Sequence, residues 1–98
     1  MAVKGVLWTQ RSLKNLEAEL DYYGAINPIL AKELSSIINE SVEKIKHLPG
    51  IGRSGKHINT REFVLSKYPY IMVYRVRHDI LEILTFIHQK RKNIQSYY

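Results

Sequence analysis

The sequence predicts an α+β domain of order β-α-α-β-β-β, with a helical hairpin packed on one face of a mostly antiparallel sheet of about four strands. Three observations predict it. Apolar residues recur at helical spacing through most of the first half, a turn rich in glycine and proline follows, and the period then changes to that of strands.

Residues 3–8 are rich in β-branched and aromatic types, long enough for a strand and too short for a stable helix. Thr9 is a helix-capping residue, and Leu13, Leu16, Leu20 and Tyr23 after it fall at spacings of three and four, giving a helix that Gly24 is expected to end. Asn27-Pro28 reads as an N-cap followed by proline at the first helical position, where its missing N–H costs nothing. Leu30, Leu34, Ile37, Ile38, Ser41, Ile45 and Leu48 continue a second, longer amphipathic helix to Pro49. So short a connection makes the pair an antiparallel hairpin whose apolar stripes face a common partner. Pro49-Gly50-Ile51-Gly52-Arg53-Ser54-Gly55 reads as a loop with several positions open to positive φ. Residues 60–66, 70–76 and 80–88 are β-rich, and the segments between them are short enough for antiparallel hairpins. With the first strand joining the later three, the sheet buries one face against the hairpin, a minimal two-layer domain.

A chain of 98 residues has material for one core, so residues 1–98 are expected to form a single domain, with 89–98 a candidate mobile basic tail. No apolar run approaches the roughly 18 residues of a membrane span, and the N-terminus lacks the apolar stretch of a signal peptide, so a cytoplasmic protein is expected. The absence of cysteine excludes disulfides, thiolate catalysis and cysteine zinc sites. His47, His57, His78 and His88 lack the close paired spacing of a metal site, and Gly50, Gly52 and Gly55 precede a strand and not the helix that a phosphate-binding loop needs. Neither a metal nor another cofactor is expected. Lys and Arg number 15 against 9 acids, a formal charge of +6 that favours nucleic acid or acidic protein partners.

The ordered set of Trp8 at the end of the first strand, the helical hairpin, Leu48-Pro49-Gly50-Ile51-Gly52-Arg53, Thr60-Arg61-Glu62, the run from Tyr68-Pro69-Tyr70 to Tyr74-Arg75-Val76, and residues 80–88 resembles the RelE/ParE superfamily of toxins, closer to ParE than to RelE. The resemblance covers nearly the whole chain. It implies the toxin of a type II toxin–antitoxin module, neutralised by a cognate antitoxin and bound to operator DNA only through it. RelE-like members cut messenger RNA on the ribosome, whereas ParE-like members inhibit DNA gyrase; the alternative targets implied are therefore gyrase, or ribosome and mRNA.

Metal-free RNA cleavage needs a proton acceptor for the 2′-hydroxyl, cations for the phosphate and an acid for the leaving oxygen. Matching Tyr74 to the family tyrosine without gaps puts Ile71 where the nuclease has an arginine, and Glu62 and Val64 where it has lysines. Strand alternation sets Ile71, Val73, Arg75 and Arg77 on one face and Met72, Tyr74 and Val76 on the other. Lys90-Arg91 and Tyr97 keep the spacing of the arginine and tyrosine that close the nuclease sequence, so Arg91, Tyr97 and His88 are the catalytic candidates of a nuclease, with His57 and His88 an alternative acid–base pair. For target or nucleic-acid binding the candidates are Arg53, Arg61, Arg75, Arg77, Lys90 and Arg91, although Arg53 is expected to anchor the glycine-rich turn through backbone carbonyls and Arg61-Glu62 to form a structural ion pair with a neighbouring strand. Trp8, Leu13, Leu16 and Leu20 are core or antitoxin-facing residues. An acidic antitoxin is expected to add an amphipathic helix or a strand to the domain.

Overall fold

The computed structural model describes residues 3–91. Strand β1 (Gly5–Trp8) leads into helices α1 (Gln10–Ile26) and α2 (Pro28–His47); a 3-10 turn (Pro49–Ile51) follows, then strands β2 (Arg53–Ser54), β3 (Arg61–Val64), β4 (Tyr70–Arg77) and β5 (Ile80–His88), and a second 3-10 turn (Gln89–Arg91). The sheet has five strands in the order β1-β5-β4-β3-β2, one more than expected from the sequence. The addition is β2, a two-residue strand pairing Arg53 with Glu62 and Ser54 with Arg61, too short to leave any period in the sequence. β1 runs parallel to β5, and all other pairs are antiparallel.

Both helix starts are set by the residues that mark them in the sequence. Thr9 Oγ1 accepts the Ser12 N–H at 3.2 Å, and Asn27 Oδ1 accepts the Ile29 N–H at 3.0 Å ahead of Pro28. Gly24 does not end α1. The helix continues to Ile26 and stops where Asn27 turns extended to cap α2, since no glycine among the described residues has positive φ. The same fact corrects the expectation for the glycine-rich loop, which forms the 3-10 turn and β2. Positive φ falls instead at Asn59, Lys67, His78 and Asp79; the last two make the two-residue β4–β5 hairpin, whose right-handed twist needs both in that region.

The core lies between hairpin and sheet. Leu34, Ile38, Val42 and Ile45 of α2 pack with Tyr70, Met72 and Tyr74 of β4 and Leu81, Ile83 and Phe86 of β5, and Trp8, Leu16, Leu20 and Tyr23 close its margin. Two phenols fasten the hairpin down: Tyr70 donates to Glu19 of α1 and Tyr68 donates to Glu33 of α2. Burial, then the carboxylate partner, raises the Tyr70 phenol pKa above its usual value, so it remains a donor across the neutral range. Ser12 occupies the buried position on the first turn of α1, which leaves Leu13 43% exposed and off the stripe assigned to it. No helix among the described residues is long and apolar enough to cross a membrane.

Candidate functional site

The face of the sheet opposite the helices carries Ile71, Val73, Arg75 and Arg77 of β4. Register places Val64 beside Ile71 and Glu62 beside Val73, with Arg75 beside Glu82 on the far side of β4, so the three positions matched to nuclease cations share this face. They do not present positive charge. Ile71 and Val73 are 0% exposed and form a second apolar cluster with Leu84 and Ile87. Glu62 is 3% exposed, and its carboxylate meets Arg53 Nε at 3.0 Å.

Glu62 makes the expected ion pair with a neighbouring strand, whereas the turn-anchoring role expected of Arg53 falls to Arg61. Arg53 makes the cross-strand ion pair, while Arg61 Nη1 donates to the Gly52 carbonyl at 2.8 Å and anchors the turn. The reason is alternation: Arg53 and Glu62 are register partners on the open face, whereas Arg61 points to the Tyr74 side, towards the turn. Tyr74 is nearly fully buried; its hydroxyl donates to Pro49 O at 2.6 Å and accepts the Gly52 N–H at 3.0 Å. Burial raises the phenol above its ordinary pKa, so the group supplies neither a free proton nor a phenolate near neutrality.

The remaining basic candidates divide between the two ends of β4. At the Arg77 end, Arg61, Arg75 and Arg77 line a cleft of about 990 Å3 together with Lys56 and His57. Glu82 lies beside it, 2.6 Å from Arg75 Nε and 3.4 Å from Arg77 Nη2, and the hydrogen bond and charge of Arg75 first, then Arg77, lower its carboxyl pKa below the usual carboxylate value. At the Tyr70 end, His88 packs edge-on against Tyr70 and its Nδ1 accepts the Lys90 N–H at 3.1 Å, while Gln89 N–H donates to Pro69 O. His57 and His88 therefore stand at opposite ends and do not form an acid–base pair. The main chain of Arg91 lies in the 3-10 turn with Lys90, its side chain and Tyr97 lie outside the described residues, and so does the tail from 92 onward. Trp8, Leu16 and Leu20 are turned into the core margin, leaving Leu13, Tyr22, Ile26 and Ile29 as the apolar surface of the hairpin. Sequence reasoning missed Lys56 and Ile58 as cleft residues; exposed loop positions carry no period, and the only available signal was the Lys56-His57-Ile58 run directly after Gly55. Among the described residues no three His, Asp or Glu side chains come together to hold a metal ion.

Residues 6–93 match the family profile described as ParE toxin of type II toxin-antitoxin system, parDE. A protein of Sinorhizobium fredii named as a toxin candidate, Y4kP, is 36% identical over 88 residues, covering 90% of this chain and 91% of its own. Toxin RelE2 of Caulobacter vibrioides is 29% identical over 86 residues, covering 88% and 96%. In three dimensions the chain is similar to one in the solved chromosomal ParDE TA system from P. aeruginosa, with a TM-score of 0.76, 25% identity and coverage of 86% of this chain and 94% of that one.

Proposed function

Because the chain belongs to the ParE toxin family of type II toxin–antitoxin systems, we propose that it arrests growth by binding DNA gyrase and not by cutting messenger RNA. Membership of the family also implies a cognate antitoxin that neutralises it. The observation that carries the choice of gyrase is the chemistry of the open sheet face. A phosphoryl-transfer site without metal depends on several cations converging on one phosphate. Here Ile71 and Val64 are apolar, Glu62 is acidic and already paired with Arg53, and the Tyr74 hydroxyl is held by Pro49 and Gly52. Such a face lacks the converging cations that catalysis would need. Purified chain added to gyrase and relaxed plasmid is expected to inhibit supercoiling, while messages remain uncut during growth arrest. Supercoiling that proceeds normally at excess toxin would reject the proposal.

The second reading is a ribosome-dependent endoribonuclease, supported by the likeness to a relative named RelE2 and by the Lys90-Arg91 and Tyr97 spacing. Its signature is codon-positioned cleavage in translated messages that disappears in Arg91→Ala.

A further inference from the structure

The cleft at the Arg77 end of β4 exists because β4 outlasts β3. Their pairing ends with Arg61 opposite Tyr74, and beyond it β4 pairs with β5 only. Residues 55–60 form a loop tied to itself: the Gly55 N–H donates to Thr60 O at 2.8 Å, the Thr60 N–H donates to His57 O at 3.2 Å, and Asn59 turns the chain at φ 64°. Lys56 and Ile58 are thereby held out beside Arg61, Arg75 and Arg77. Among the described residues that line the cleft none is acidic. Glu82 beside it answers two guanidinium groups, those of Arg75 and Arg77, with one carboxylate, so the trio keeps a net positive charge.

The lining indicates what the charge is for. Three of its four cations are arginines, whose planar forks of N–H donors match phosphate oxygens. The bonds of Arg61 to Gly52 and of Arg75 and Arg77 to Glu82 each go through one nitrogen of a group that carries five N–H donors. Ser54 and Asn59 add the hydroxyl and amide groups that also contact a phosphate backbone. A single strand would call for several exposed rings on which successive bases stack. The lining supplies Tyr74, 1% exposed with its hydroxyl already bonded, and one imidazole, His57. A duplex asks for backbone contacts alone. Ile58, 89% exposed, adds little to the fold, yet an aliphatic side chain among cations is of the kind that lies in a minor groove. We propose that the cleft binds the sugar–phosphate backbone of duplex DNA without regard to sequence, so that the toxin engages gyrase together with the DNA that gyrase holds. The second half of this rests on the gyrase reading, and the first on the cleft itself.

The probe is a fluorescently labelled duplex of arbitrary sequence, titrated with the whole chain at salt concentrations from about 50 to about 200 mM. Four cations on phosphates are expected to give a slope of about −3 to −4 in log K against log salt. Lys56→Ala/Arg77→Ala, at two exposed positions, is expected to bind about tenfold more weakly and to lower the magnitude of that slope by about two. Circular dichroism checks that it folds, and Lys56→Glu alone, in the loop, makes the same test without disturbing the partners of Glu82. The charge-matched Lys14→Ala/Lys32→Ala, on the helices, is expected to keep the parent slope. In the gyrase supercoiling assay the cleft variant should need correspondingly more protein to inhibit. Absence of duplex binding at low salt, an equal loss of slope in the helix variant, or tighter binding of single-stranded RNA or poly-glutamate than of the duplex overturns the proposal. A cleft variant that inhibits supercoiling as well as the parent overturns the link to gyrase-held DNA while the gyrase reading stands. Supercoiling untouched by the parent chain, with duplex binding as expected, overturns the gyrase reading and leaves DNA as the ligand of the cleft.

Discussion

Tyr74 and Gly52 show how one side chain and one missing side chain set the geometry around the cleft. The Tyr74 hydroxyl reaches across from β4 to the turn before β2, donating to Pro49 and accepting from Gly52, and the Gly52 carbonyl in turn takes the Arg61 guanidinium. A Cβ at position 52 would stand 2.8 Å from the Tyr74 hydroxyl and 2.9 Å from the Glu62 carbonyl oxygen, and that oxygen belongs to backbone fixed in the β2–β3–β4 ladder. The φ of Gly52 is −73°, so alanine would suffer from crowding and not from backbone strain. Gly52→Ala is expected to destabilise the fold by about 2–3 kcal/mol through overpacking. Tyr74→Phe, which leaves the Pro49 carbonyl and Gly52 N–H without their partner, should cost about 1–3 kcal/mol. Urea unfolding of both variants checks the pair; a Gly52→Ala midpoint equal to that of the parent would show that the turn can shift away from Tyr74.

At the scale of elements, the join between α1 and β5 decides how the hairpin sits. The β4–β5 register slips by one residue between Val73 and Tyr74, so that Leu84 of β5 has no opposite number. Backbone groups around this bulge are taken up by the start of α1: Thr9 Oγ1 donates to Leu84 O at 3.1 Å, Thr9 N–H donates to Ile83 O at 3.1 Å, and Asn15 Oδ1 accepts from Phe86 N–H at 3.4 Å. One hydroxyl thus caps the helix and binds the bulge. Thr9→Ala removes both functions and is expected to lower stability by about 1–2 kcal/mol, at the upper part of the range for N-caps; thermal or urea unfolding reads it, and a loss no larger than a few tenths would show that the Leu84 contact contributes nothing. Local signals of this kind are what the sequence makes legible. Thr9, Asn27-Pro28 and the period change after Gly55 each act within a few residues, and each element they mark is present. The bulge, the parallel β1–β5 pairing and β2 depend on partners far along the chain and leave no periodic trace. Leu13 departs from the stripe for a related reason: the three-and-four spacing fits it as well as Ser12, and only the approach of β5 to α1 decides which of the two is buried.

Across the whole molecule, the two faces of the sheet differ in a way the sequence conveys only partly. Alternation assigned Ile71, Val73, Arg75 and Arg77 to one face correctly, and register confirms that Glu62 and Val64 join them. What alternation cannot give is burial. Ile71 and Val73 are as inaccessible as the core under the helices, although they lie on the opposite side. Nor could spacing show that the cations separate into a cleft group at the Arg77 end and a Lys90 group at the Tyr70 end, because that division follows from the antiparallel register of β4 and β5. The burial leads to a sharper expectation about the missing nuclease site. Were Ile71 merely a neutral replacement on an open surface, restoring a cation there would be harmless. On a closed apolar cluster, an arginine must either bury an unpaired charge or force the cluster apart, and Ile71→Arg is expected to lose roughly 3 kcal/mol. Val64 is its neighbour across the β3–β4 pair and is 40% exposed, so Val64→Lys should change stability by no more than about 0.5 kcal/mol. The contrast between the two midpoints in urea is the informative quantity. A stable Ile71→Arg protein would mean that the face can open to admit a phosphate-binding cation, and the case for gyrase drawn from that face would lose its physical basis.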